Sequence, residues 1–340
     1  MIETPDRLIE TPDVAERHRT ELLSDVLSRI RLSGAIFLRG EYSAPWAFDS
    51  PDSRDLVDLL APGAERLVLF HIIREGQAWV GARGAFIDLE PGDLAVLPHA
   101  DRHLMGSRPE RAEPVPIAEL LPPPPWQGVP LCRFAGGGQH TGVVCGYLKC
   151  DELLFNSFMR RLPPVFRVRP PAGPSLDLIK ACINYALDER SHPRSGSAPL
   201  MTRMPELLLI EALRLYSEDS ASDTGWLAAI SDPVVGRALA LLHEEPARRW
   251  TVEELACRAA TSRSVLDERF RKLLGQPPMR YLTEWRMQLA ADLMKDTPAK
   301  LAAIANAVGY GSEEAFGRAF ERYLGVSPGQ WRNRIQVNKV

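Results

Sequence analysis

Three histidines and one cysteine carry the first chemistry that can be read. His71 lies in the apolar run Arg66–Ile73, His99 and His103 stand four apart in LPHADRH, and Cys145 lies in VVCGYL. Imidazole nitrogen and thiolate sulfur are soft donors that suit Zn2+. Placed on neighbouring strands and turns, the four are expected to converge at one mouth as a metal or effector site. Three readings stay open at this point: a Zn2+ centre, an organic effector held by neutral imidazoles, or buried histidines satisfied by backbone. Cys145 and Cys150, spaced C-x4-C, add a redox switch as a further reading.

A second set of residues repeats after about fifty positions. Ser262, Val265, Leu266, Phe270, Gly275 and Pro278 recur as Ser312, Ala315, Phe316, Phe320, Gly325 and Pro328. Each serine is placed to cap a helix with its hydroxyl, and each glycine to end that helix in the left-handed conformation. The i,i+4 pairs Leu266/Phe270 and Phe316/Phe320 define a buried face, which leaves the opposite face to solvent or a ligand. A short helix stands before each unit, Glu253–Ala260 and Leu301–Val308. The pattern is helix, tight turn, helix, twice over, joined by an amphipathic helix across Met279–Lys295 with Tyr281, Leu282, Trp285, Leu289 and Leu293 inward. The rod spans roughly 25 Å, which side-chain offsets extend to one DNA turn of about 34 Å. Two readings stay open: two helices entering successive major grooves of one duplex, or a helical bundle that binds nothing.

These residues need elements to hold them. The helical period over Leu22–Leu32 gives way to short apolar or alternating runs at Ala35–Arg39, Arg66–Ile73, Ala78–Val80, Ala85–Leu89 and Leu94–Leu97, which read as strands. Strands resume at Leu131–Phe134, Val143–Leu148 and Val165–Val168, and Leu153–Phe158 reads as a helix start. Arg108–Pro130, with its four prolines, reads as a long loop. Helical spacing returns at Leu176–Ala186 and Met204–Tyr216, followed by a polar linker. The expected organisation is a tail at 1–20, a strand-rich domain at 21–170, a helical segment at 171–218, a linker at 219–231 and an all-helical domain at 232–335. The resemblances below make the strand-rich domain, the helical segment and the all-helical domain a sensory domain, a dimerisation segment and a DNA-binding domain in turn.

Composition narrows the classes. The 340 residues carry 41 Lys+Arg against 44 Asp+Glu, net −3. Residues 232–340 hold 17 basic and 13 acidic side chains, so a net +4 end follows a net −7 body, an asymmetry that points to a polyanion-facing module attached to something else. No apolar run of about 18 residues is present, so no membrane span is expected. The acidic start MIETPDRLIETPD is unlike a secretory signal. Five cysteines in so long a chain read as free thiols in a reducing compartment, and a cytoplasmic location is expected.

The stretch from TVEELACRAATSRSV to IANAVGYGSEEAFGRAFERYLGVSPGQWR closely resembles the DNA-binding domain of AraC/XylS-family transcription regulators. The resemblance implies a seven-helix, two-motif domain with recognition helices Arg263–Leu274 and Glu313–Leu324. Family base-reading positions fall on Ser264, Asp267 and Glu268, and on Glu313, Glu314, Gly317 and Arg318. Several of these are acidic or lack a side chain where long basic or amide groups read purines best. Arg318 is the foremost expected base reader, Arg263 the next, and Arg271, Lys272 and Arg322 are expected on phosphates.

PGDLAVLPHADRHLMGS is similar to the second motif of the cupin barrels, running from Gly92 through Pro98 and Ala100 to His103 and Ser107. Ala100 stands in place of the usual glycine and Ser107 in place of the usual asparagine. LVLFHIIREGQAWVGARG resembles the first motif, with Gly63, Glu65 and Leu69 near the places of the usual ligands. The expected fold is therefore α+β and multidomain: a cupin-like β-barrel with flanking helices, then an all-α domain with two helix-turn-helix motifs. The expected function is sequence-specific transcription regulation in response to a small-molecule or redox signal. Double-stranded DNA, RNA polymerase and a second copy of the chain are the expected partners. A metal-dependent cupin enzyme with a DNA-binding appendage is the alternative, and the depleted first motif counts against it. A third reading, an adaptor binding only protein through Met204–Tyr216, predicts no salt-dependent DNA affinity.

Overall fold

The computed structural model of the protein describes residues 14–28, 32–108, 112–122, 129–150, 159–191, 195–219 and 225–337. The expectations for the repeated IETPD, for the prolines at 123–125 and for a helix start at Leu153–Phe158 lie outside the described residues. The chain forms two compact units, one holding residues 32–219 and the other joining helix α1 (Val14–Ser28) to residues 225–337.

The β-rich unit is built from two sheets. One has the order β11-β6-β3-β10-β1-β9, with β1 Ser33–Ser43, β3 Arg66–Glu75, β6 Leu94–Leu97, β9 Leu131–Ala135, β10 His140–Cys150 and β11 Phe166–Val168. The other has the order β5-β4-β7-β2-β8, with β2 Ala47–Ser50, β4 Ala78–Ala82, β5 Ala85–Leu89, β7 His103–Ser107 and β8 Val115–Pro116. Their inner faces enclose a core that includes Leu38, Tyr42, Phe48, Leu69, Val80, Met105 and Val143. Two short helices, α2 (Ser53–Leu60) and α3 (Ile117–Leu120), and two long ones, α4 (Pro174–Ser191) and α5 (Ala198–Asp219), complete the unit. Helix α5 packs on β1, β10 and β11. A sheet covered on both sides explains why β3 and β10 read as nearly continuous apolar runs rather than alternating ones.

In the helical unit, α6 (Trp226–Ser231), α7 (Val235–Glu244), α8 (Val252–Arg258) and α9 (Arg263–Leu274) precede the rod α10 (Pro278–Asp296). Helices α11 (Leu301–Ala307), α12 (Glu313–Leu324) and α13 (Pro328–Val337) follow it. At about 1.5 Å per residue the rod is roughly 28 Å long. Its buried side chains include Tyr281, Leu282 and Trp285, together with Met287, Ala290, Ala291 and Met294, whereas Leu289 and Leu293 are half-buried. The rod is packed by helices of both motifs, so its apolar surface is wider than one stripe.

Three differences from the sequence reading have tertiary causes. Helix α1 starts at Val14, inside the expected tail, and packs on α7 and α6 rather than joining the β-rich unit. Its Leu22, Leu23, Val26 and Leu27 are buried, and Asp25 pairs with His243 Nδ1 at 2.9 Å. His243 in turn stacks on Trp285 and meets the Tyr281 hydroxyl at 2.7 Å. Helix α6 occupies part of the expected linker, because Trp226, Leu227 and Ile230 are buried there and Trp226 Nε1 donates to Tyr281. Within the expected loop 108–130, β8 and α3 form where Ile117 enters the core.

Candidate functional site

The two helix-turn-helix motifs are built by local signals. Thr251 caps α8, Ser262 Oγ accepts from Val265 N at 3.3 Å, and Ser312 Oγ accepts from Ala315 N at 3.2 Å. Gly275 and Gly325 close the two recognition helices at φ 66° and 72°. In the turn of the first motif Ala260 takes φ 56°, a conformation given to Gly309 in the second. A Cβ at Gly309 would stand 2.5 Å from the carbonyl oxygen of Ala247, so that position requires glycine. The second turn is one residue longer, with Gly311 as the extra residue.

Leu266, Phe270 and Leu274 fix the inner face of α9, and Phe316 and Phe320 that of α12. At about 100° per residue, the direction opposite those faces falls on Val265, Glu268 and Lys272 in α9 and on Glu314, Arg318 and Arg322 in α12, with Ala315 half-buried beside them. Ser264, Glu268, Lys272, Glu313, Glu314, Arg318 and Arg322 are exposed. Arg263, Asp267 and Arg271 lie towards the flank and are engaged. Arg263 pairs with Glu253 at 2.5 Å and Arg271 with Asp267 at 2.7 Å. Gly317 also lies on a flank, with open space where a Cβ would be. Sequence reasoning assigned roles to both sets alike and left Val265 out. The signal for it was present, since 38% exposure of a valine follows from its place on the wheel.

The histidine–cysteine set divides. The register of β3 and β10 sets His71 directly opposite Cys145, and β7 brings His103 to them from the other sheet. His71 Nδ1 lies 2.8 Å from Cys145 Sγ, and its Nε2 lies 3.0 Å from His103 Nε2. His103 Nδ1 lies 3.0 Å from the Asp101 carbonyl, to which it donates. One proton arrangement satisfies the row: His103 Nε2 accepts from His71, and His71 Nδ1 accepts from the Cys145 thiol. Burial holds both imidazoles neutral, pushing His103 down to about 4 and His71 well below its ordinary value. Burial also pushes the Cys145 thiol up, so it is a hydrogen-bond donor rather than a thiolate.

That row does not fit a metal centre. His71 spends each nitrogen on a different neighbour, so the lone pairs do not meet at one point as tetrahedral Zn2+ requires. Among the described residues no group of three or more His, Cys, Asp or Glu is placed to hold a metal ion. His99 stands apart, with Nε2 donating to the Leu162 carbonyl at 3.0 Å. Cys145 and Cys150 are five residues apart on one extended strand. Their separation of roughly 16 Å, with side chains on opposite faces, is far beyond disulfide reach.

His99 instead lines a cleft of about 580 Å³ where α2 meets the β4–β5 and β6–β7 turns. Asp52, Arg54, Asp58, Arg83 and Asp101 line it with His99. Asp101 Oδ1 accepts from Arg83 at 2.6 Å, while its buried Oδ2 has no partner among the described residues. Arg83 and Ala100 take φ 48° and 46°, left-handed conformations that cost side-chain-bearing residues energy and gather at functional positions. The strain at Ala100 gives a physical reason for the glycine usual at that position of the cupin motif.

Known proteins place these features. Residues 21–218 match the cupin family and residues 255–334 match a helix-turn-helix domain family. A putative AraC-like transcription regulator of Streptomyces lividans is 34% identical over 323 residues, covering 91% of this chain and 97% of that protein. The chain belongs to the AraC-like family of transcription regulators. A second putative AraC-like regulator, from Streptomyces antibioticus, is 34% identical over 91% of this chain and 97% of its own length. The crystal structure of the DNA-binding domain of AdpA, in complex with a target DNA, is 32% identical. It covers 32% of this chain and 96% of that one, with a TM-score of 0.30. This family member is a DNA-binding transcription regulator with a cupin-type N-terminal domain, and its relatives' roles do not favour the enzyme reading. No helix among the described residues is long and apolar enough to cross a membrane.

Proposed function

We propose that the chain is a one-component regulator in which α9 and α12 enter successive major grooves on one face of a duplex. The observation that carries this reading is the duplicate: two helices with the same caps, each turning a row of exposed side chains away from its buried face. Arg318 engages no hydrogen-bond or ion-pair partner among the described residues, so its guanidinium is available to a guanine edge. Ser264, Glu268, Glu313 and Glu314 face the bases beside Arg318, with Arg263, Asp267 and Gly317 at the flank of that set. Arg271, Lys272 and Arg322 sit on phosphates.

The β-rich unit takes a small polar effector, and the cleft containing His99 and Asp101 is its site. Its volume lies in the range of small-molecule pockets, and the partnerless Asp101 oxygen asks for a donor. His71, His103 and Cys145 support the site from behind through the Asp101 carbonyl rather than touching the ligand. Two copies pair through α4 and α5, whose Leu178, Leu200 and Leu207 are 40–52% exposed. The regulator works in the cytoplasm, with RNA polymerase as the partner it recruits or blocks. The effector acts through its difference in affinity for two states of the chain.

Mapping the DNA bound in cells, followed by footprinting of one site with the full chain, tests the proposal. Two protected patches about one helical turn apart on one face of the duplex are expected. A single patch, or protection all around the duplex, contradicts it.

A further inference from the structure

The two recognition helices share a framework but differ in what they turn outward. In α9 the outermost positions are Val265, Glu268 and Lys272, and the matching positions in α12 are Ala315, Arg318 and Arg322. The central residue thus changes from acid to base, and the one before it is apolar in both. Within α9 Arg263 is held by Glu253 and Arg271 by Asp267, and Lys272, one turn beyond Glu268, is the phosphate contact proposed above. Glu268 has no partner among the described residues. A carboxylate in the major groove accepts from the N4 amino group of cytosine and repels the acceptor edge of guanine. An exposed valine one turn earlier offers a methyl-lined surface whose counterpart in that groove is the thymine methyl.

We infer that α9 is a pyrimidine reader: Glu268 selects a cytosine and Val265 an adjacent thymine on the same strand, while α12 reads guanine through Arg318. Side chains three apart on a helix are about 5–6 Å from one another, which suits two neighbouring bases on one strand. The two halves of the operator are then unlike, one chosen through acceptor and methyl contacts and the other through a guanidinium. The inference rests on the proposed docking of α9 and α12 in the major groove.

The test is selection of random duplexes by the full chain and by its Val265→Ser, Glu268→Gln and Arg318→Ala variants. The wild type is expected to enrich two blocks, one of them altered only by Arg318→Ala. In the other block, Glu268→Gln moves the cytosine preference towards adenine, because an amide pairs with adenine. Val265→Ser removes the thymine preference there and leaves the second block intact, which shows that the variant is folded. Replacing that thymine by deoxyuridine weakens wild-type binding about fourfold, the worth of one buried methyl, and leaves Val265→Ser unchanged. A first block without a C·G pair beside a T·A pair that has both pyrimidines on one strand, or a first block indifferent to both variants, overturns the inference while leaving the DNA-reading function standing. A wild-type pool with no enrichment overturns both.

Discussion

The buried row in the β-rich unit and the outer faces of α9 and α12 are both strings of polar side chains, and they have opposite fates. In the row Cys145, His71, His103 and the Asp101 carbonyl satisfy one another in sequence, away from water. On the recognition helices Glu268 and Arg318 point outward with their hydrogen-bonding capacity unspent. A closed row contributes to folding and to holding the turn at Ala100–Asp101. An open one is available for binding. Residue type alone does not separate the two, and partner geometry does.

The largest expected effect breaks the comparison at its closed end. The fold favours neutral His103, so the unfolded chain takes up its proton first, near pH 6.5. Stability present above that pH is lost as the pH falls towards the folded value of about 4. The shift corresponds to about 3 kcal/mol from this group, with His71 acting in the same direction. Urea unfolding of the β-rich unit across that range should show the loss, and His103→Leu should flatten it. A pH-independent wild type would mean that the row is not buried and neutral.

Arg318→Ala acts at the open end. It should weaken binding to the selected operator by about 1–3 kcal/mol and relax one base position, with no change in melting temperature. An equal loss on all sequences would assign Arg318 to phosphate. Ser312→Ala probes the framework under that face. Losing the cap should cost about 1 kcal/mol in denaturant unfolding of the helical unit. The smallest effect sharpens the role of Gly317. With open space at its Cβ, Gly317→Ala should stabilise α12 by roughly 0.5–1 kcal/mol. A simultaneous fall in DNA affinity would show that the helix backbone approaches the duplex there.

The bounds of α9 and α12 were legible because capping serine, closing glycine and apolar spacing are all local signals. The strands β3, β6 and β10 were legible for the same reason, as apolar runs between turns. Contacts between distant segments were not. Four donors on neighbouring strands look alike in sequence, yet the β3–β10 register pairs His71 with Cys145 while the β6–β7 turn sends His99 to Leu162. Helix α1 has an ordinary amphipathic pattern that does not say which unit it covers. Asp267 and Arg271 were visible as an i,i+4 pair, and their neutralising effect on the reading face follows only once the outward direction is fixed.

The central claim is that α9 and α12 grip one duplex together at a fixed separation. It is tested most directly by the affinity of the full chain for an operator whose two blocks are moved apart by about half a helical turn, roughly five base pairs. The account predicts that binding falls to the level given by either block alone. Affinity unchanged by the insertion would contradict it.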